Sequence, residues 1–152
     1  MHSIDELKTV MMLNCLDDAT LKKILEITSF VKFKAGDYVF RQDEYAKNLW
    51  AVKKGRVGLS FEKYAETHIL VTVLTDGMAF GISSMVDLEP KKYIGTTKAI
   101  TDLELFKWAA SDLNEIFYKD FEIGFIVMKR LAKTLITRLQ IKNAQISDSY
   151  YK

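Results

Sequence analysis

The chain is poor in the residues that build covalent and metal-based sites. Its 152 residues include one cysteine, Cys15, one proline, Pro90, and two histidines, His2 and His68. A single thiol excludes an internal disulfide and any multi-cysteine metal or iron–sulfur centre. The histidines are far apart, and neither sits in a ligand motif. No apolar run approaches the roughly 20 residues that span a bilayer. The start, MHSIDELKTV, lacks the basic segment and apolar core of a signal peptide, so a cytoplasmic protein without membrane association is expected. The net charge of +2 is too small to imply nucleic-acid binding by composition. No Ser-His-Asp order, Gly-rich phosphate loop or zinc spacing occurs. Asp43 and Glu44, in Arg41-Gln42-Asp43-Glu44, have no partner carboxylate at a defined spacing and do not read as an acid–base pair. An enzyme is the poorest of the readings.

What the chain does have is the material for one core. A hydrophobic fraction of 49% with 12% aromatics suits a single domain over residues 1–152. Ile4 to Met12 and Asp18 to Ser29 have helical apolar spacing. Asp17 or Asp18 is placed to cap the second helix, because a carboxylate there accepts free amide hydrogens of the first turn. Leu21, Ile24, Leu25 and Phe30 form its buried stripe, and Cys15 reads as a small buried residue. From Val31 the period changes to two, and short strands are expected at Val31–Phe33, Tyr38–Phe40, Leu49–Val52, Arg56–Phe61, His68–Leu74, Tyr93–Ala99 and Asp102–Trp108. His68 reads as a strand position rather than a ligand. The turns carry Gly or polar residues at Ala35-Gly36-Asp37, Lys54-Gly55 and Asp76-Gly77. Closely spaced strands with such turns suggest a small antiparallel barrel or roll.

After Ala110 the pattern is helical again. A short helix from Ser111 to about Tyr118 precedes a long one from near Asp120 to about Ile146. In the long helix Phe121, Phe125, Met128, Ala132, Leu135, Leu139 and Ile146 follow alternating four- and three-residue steps, broken only by Lys142. That is a heptad seam, and it predicts a parallel homodimer. Ile123, Val127, Leu131 and Ile136 offer a second apolar face.

Gly36-Asp37 followed by Gly55-Arg56-Val57, then Phe80-Gly81 and a long terminal helix, resembles the cyclic nucleotide-binding family over roughly residues 10–146. The resemblance implies a mainly β fold with flanking helices (α+β). Its centre would be a double-stranded antiparallel β-roll of jelly-roll type over about residues 31–109. Short N-terminal helices precede it, and a dimerisation helix follows over about 120–146. In that family a Phe-Gly-Glu turn opens a short helix whose amides meet the cyclic phosphate. The Glu bonds the ribose 2′-hydroxyl, and an Arg in a following Arg-Ser/Thr-Ala segment pairs with the phosphate. Some relatives bind haem, but His68 has no second ligand motif to support that here. Family transcription factors carry a helix-turn-helix domain after the long helix. Only Ser147 to Lys152 follow it here, so direct DNA binding is not expected.

The cassette departs from this pattern where chemistry matters. Ile82 occupies the Glu position. If Gly95 replaces the family's Ala, Tyr93 holds the Arg slot, and a shift of one or two residues puts Lys92 or Lys91 there. Losing two charge-assisted hydrogen bonds, at about 1.5–3 kcal/mol each, removes on the order of 10² to 10⁴ in affinity. Two functions stay open. In one, a sensory module binds a cyclic nucleotide or other small anion through Gly81, Ile82, Ser83, Ser84, Lys92, Tyr93, Thr96 and Thr97, with Thr134 or Thr137 near a base. In the other, a scaffold or interaction domain keeps only the roll and the dimer seam, with Ile82 packed into the core. The pairs Lys53-Lys54 and Lys91-Lys92 read as solvated turns, the second bordering the pocket.

Overall fold

Two short helices lead into the sheets. α1 spans Ile4–Leu7, where the Glu6 carboxylate accepts from the Ser3 amide at 3.1 Å. The expected continuation to Met12 is a run of turns, yet Val10, Met12 and Leu13 remain buried. α2, Asp18–Glu26, is capped by Asp17, whose Oδ1 accepts from the Thr20 amide at 2.8 Å. Cys15 is exposed, contrary to expectation. It sits in the tight turn between the helices, where Leu13 and Leu16 take the core side. A computed structural model describes the backbone of residues 1–64 and 67–151. It describes the side chains of the same residues except 63, 64, 67, 68, 71, 150 and 151. The ligand reading of His68 therefore lies outside the described side chains.

The strands are β1 Ser29–Phe33, β2 Tyr38–Phe40, β3 Asn48–Lys54, β4 Val57–Tyr64, β5 Thr67–Leu74, β6 Ala79–Phe80, β7 Thr96–Ala99 and β8 Leu103–Ala109. They form two four-stranded sheets ordered β1-β8-β3-β6 and β2-β7-β4-β5, with antiparallel pairing throughout. This is the expected β-roll. The hairpin between β3 and β4 turns on Gly55, at φ 109°. A Cβ there would stand 2.5 Å from the Asp102 carbonyl oxygen, so both backbone angle and space demand glycine.

Alternation along β3 and β8 divides the interior into two cores. Trp50 and Val52, with Leu103 and Leu105, face the inside of the roll beside Phe40, Phe80 and Tyr93. Leu49 and Ala51, with Phe106 and Trp108, face outward onto the helices. Because β3 is covered on both faces, it reads in sequence as an unbroken apolar run rather than an alternating one. The Trp108 indole donates to Thr28 Oγ1 at 2.7 Å, which satisfies its only polar atom.

α3, Ala110–Lys119, packs beside α4, Phe121–Tyr151, which runs five residues past the expected end. Asp120 starts α4 by accepting from the Ile123 amide at 3.3 Å. Val127 and Leu131 are buried against the helix-side core, while Ile136, assigned to the same face in sequence, is 57% exposed. Arg130 ties the helix to the N-terminal turns, donating to the Met11 carbonyl at 2.5 Å and to Asn14 Oδ1.

Candidate functional site

The cassette begins with β6, a strand missed in sequence because it is only two residues long. It pairs Ala79 with Ala51 and Phe80 with Trp50. Gly81 then reverses the chain at φ 74°, where a Cβ would lie 3.0 Å from Trp50 Cδ1 and 3.1 Å from the Asn48 carbonyl oxygen. A single 3₁₀ turn follows over Ile82–Met85. Ile82 is 5% exposed and packs into the helix-side core. The Ser84 hydroxyl donates to the Gly81 carbonyl at 2.8 Å, so it is used locally; Ser83 beside it is half-buried.

The returning arm separates residues that the sequence left interchangeable. Lys92 is exposed, bridges to Tyr45 through its backbone and borders an outer groove with Asp43, Glu89 and Ile94. Lys91 is half-buried, and its carbonyl accepts from the Ala46 amide at 3.0 Å. Tyr93 points the other way, into the roll. Its ring stacks on Phe40 at 3.7 Å between centroids. Its hydroxyl donates to the Asn48 carbonyl at 2.6 Å and accepts from the Asn48 amide at 3.0 Å. Burial pushes the phenol's pKa up, against the opposing pull of the Asn48 amide that donates to its oxygen. The neighbouring Trp50 indole N–H also favours the phenolate, and it has no hydrogen-bond partner among the described residues.

Thr96 and Thr97 are both fully buried. Thr96 Oγ1 accepts from the Gln42 amide at 2.9 Å and donates to Glu62 Oε1 at 3.1 Å. The Gln42 side chain completes the network, exchanging hydrogen bonds with the Glu62 backbone at 2.8 and 3.1 Å. Nothing local in the sequence pairs these three residues. Thr97 Oγ1 has no partner among the described residues.

The long helix adds a group that sequence reasoning missed. Arg138 reaches across to the Ala79 carbonyl, two residues before Gly81, and donates to it through Nη2. Its guanidinium has no carboxylate at ion-pair distance among the described residues. Desolvation lowers its pKa to about 10, so it stays charged at neutral pH. Thr134, one turn earlier, returns its hydroxyl to the Arg130 carbonyl at 3.1 Å, and Thr137 does the same to Lys133 at 2.9 Å. The helix therefore meets the cassette through Arg138 rather than through either threonine.

A family model for the cyclic nucleotide-binding domain matches residues 30–120. The chain belongs to that family. Among solved structures, a cyclic nucleotide-binding domain from Methylobacillus flagellatus is similar with TM-score 0.83 and 12% identity, over 96% of this chain and 83% of that one. The sensor domain of the regulator DNR from Pseudomonas aeruginosa is similar with TM-score 0.73 and 20% identity, over 90% of each chain. The c-di-GMP-responsive regulator CLP from Xanthomonas campestris is similar with TM-score 0.76 and 18% identity, over 86% of this chain but only 63% of that one. At these identities the likeness carries the fold. No curated protein matches the chain in sequence.

The segment keeps a glycine reversal at Gly81 and a short 3₁₀ turn over Ile82–Met85. Its polar side chains bond within the domain: Ser84 to Gly81, Thr96 to Glu62, Tyr93 to Asn48. No helix among the described residues is long and apolar enough to cross a membrane, and no cluster among them could hold a metal ion.

Proposed function

We propose that the domain is a ligand-responsive regulatory module. A small anion binds between the cassette and α4, and the signal is a change in the position of α4 within a homodimer. The observation that carries this reading is Arg138. A desolvated guanidinium held, among the described residues, by one carbonyl and by no carboxylate retains donors for a phosphate or carboxylate. An anion seated there would touch both the cassette and the helix, so its affinity would differ between two helix positions, which is the thermodynamic requirement for a switch. The ribose-reading carboxylate is absent at Ile82, so high affinity for an ordinary cyclic nucleotide is not part of the proposal.

The dimer would form along Phe121, Phe125, Met128, Ala132, Leu135, Leu139 and Ile146. Phe121 is 73% exposed, Phe125 68% and Leu139 56%, which is a large apolar stripe for one helix to leave in water. A second copy of the same helix supplies the matching heptad.

A second reading has its own support. The redirected hydroxyls and the packed Ile82 are what a scaffold without a ligand would show. Thermal-shift measurements separate the two. cAMP, cGMP, cyclic di-GMP, inorganic phosphate and pyrophosphate are titrated against the wild type and Arg138→Gln. A sensor gives a concentration-dependent rise in Tm with at least one anion, and the substitution removes it. No rise with any of them supports the scaffold and sinks the sensor.

A further inference from the structure

A second cleft, of about 360 Å³, lies between the β4–β5 hairpin and the last turns of α4. Phe61, Ile69 and Leu70 form one wall, and Lys142, Gln145 and Ile146 the other. Phe61 is 40% exposed, Ile69 50% and Leu70 58%, so three large apolar side chains of the hairpin meet at a single wetted cleft, edged by Ile146, the last residue of the proposed seam. At one edge the Lys142 ammonium stands 5.6 Å from the Phe61 ring centroid. It has no carboxylate at ion-pair distance among the described residues.

These features define the chemistry of an occupant. The volume falls near the lower end of the roughly 300–1,000 Å³ typical of small-molecule sites. The walls favour an apolar body, because covering them removes hydrocarbon from water. Lys142, the one cation among the described lining residues, favours one negative charge, since an ammonium over a ring face gains less than one paired with a carboxylate beside apolar walls. A nucleotide fits poorly here, as its many hydroxyls and ring nitrogens would be desolvated against hydrocarbon with Lys142, Gln145 and Ser149 as the donors among the described lining residues. We propose that this cleft binds a hydrophobic monocarboxylate, with the chain against Phe61, Ile69 and Leu70 and the carboxylate on Lys142 Nζ. Lys142 lies one helical turn beyond Arg138, on the same face of α4. The site stands apart from the anion site of Arg138 and does not rest on it.

Calorimetric titration of the whole chain with octanoate, octan-1-ol and acetate, followed by methyl NMR, tests the assignment. Octanoate is expected to bind and to shift the methyl signals of Ile69, Leu70 and Ile146, while acetate does neither. Lys142→Met should weaken octanoate about tenfold or more and leave octan-1-ol unchanged. Ile69→Glu, which sets a like charge in the apolar wall, should abolish octanoate binding. Both positions are at the surface, so an unchanged melting profile should accompany each loss. Arg138→Gln should leave octanoate affinity unaltered. The proposal is overturned if octanoate fails to bind at millimolar concentration, or binds no better than octan-1-ol. It is equally overturned if octanoate shifts methyl groups elsewhere or is insensitive to Lys142→Met. Loss of octanoate binding in Arg138→Gln would move the carboxylate to the other site. Binding that disappears as protein concentration rises would show that a second copy fills the cleft.

Discussion

The cassette and the outer half of α4 treat their side chains in opposite ways. On the inner side of the cassette the side chains are packed or bonded from within: Ile82 is packed, Tyr93 is bonded twice to Asn48, and Thr96 is held between Gln42 and Glu62, while Val86, Leu88 and Ile94 of the connecting arm stay exposed. On α4 beyond Leu131 the apolar residues are uncovered, and Arg138 and Lys142 have no carboxylate partner among the described residues. A region whose interactions are complete stabilises a fold, whereas one with open valences is available to a ligand or a second chain. The proposed anion site accordingly rests on the helix rather than on the cassette side chains.

The sharpest way to break that contrast is to rebuild the cassette. Ile82→Glu with Tyr93→Arg would place two charges where the structure holds a packed aliphatic and a stacked ring. An unpaired buried charge costs on the order of 3–5 kcal/mol. The expected outcome is a large fall in the urea midpoint with no gain in cAMP affinity. A stable variant that binds cAMP tightly would show that the pocket is still a nucleotide site.

Next in size is the seam. Leu135→Asp with Leu139→Asp should raise the dimer dissociation constant about 100-fold or more, because like charges would face each other across the heptad. Sedimentation equilibrium reads this directly, and the monomer's thermal stability should scarcely move, since both residues are exposed. A wild-type monomer at tens of micromolar would sink the seam.

A smaller effect is expected from Tyr93→Phe, which keeps the stack on Phe40 but leaves the Asn48 amide and carbonyl without their partner. The cost should be about 1–3 kcal/mol in denaturant unfolding. No change would mean that the hydroxyl contributes nothing to closing the roll.

The smallest effect concerns a surface pair far from both regions. The Lys53 ammonium, 2.9 Å from Glu6, is the main cause that holds the Glu6 carboxyl down to about 2 from 4.5. A depressed carboxyl stabilises the fold above the unfolded value and loses that contribution as pH falls through the folded one. The loss should therefore run from about pH 4.5 down to about pH 2. For a pair this close to solvent it should stay below about 1 kcal/mol. Lys53→Met should reduce the pH dependence in that window, leaving the smaller part due to the Ser3 amide and His2. If the slope survives the substitution undiminished, Lys53 is not its source.

Much of the architecture was readable from residues that act locally. The period-two runs mark the strands, Gly55 and Gly81 mark reversals that only glycine allows in comfort, and Asp17 marks a helix start. The pattern carries the first helix too far because Val10, Met12 and Leu13 are buried at helical spacing without being helical. β6 leaves no signal because two residues carry no period. Cys15 is exposed where its type suggests burial, because burial in a turn depends on which side the body lies.

By itself, the amino-acid order determined a set of short antiparallel strands, the flanking helices and the heptad along α4, and the resemblance to the family implied the roll and an apolar Ile82 where relatives carry a carboxylate. The first three follow from short-range geometry, the others from motifs. Only the tertiary structure decided that Tyr93 turns inward while Lys92 turns out, and that Thr96 joins Gln42 and Glu62. It also decided that Arg138 rather than Thr134 meets the cassette. Those outcomes hang on contacts between segments far apart in the chain, as far as Ala79 from Arg138. A residue's type states what it can bond, but only packing settles which partner comes within reach.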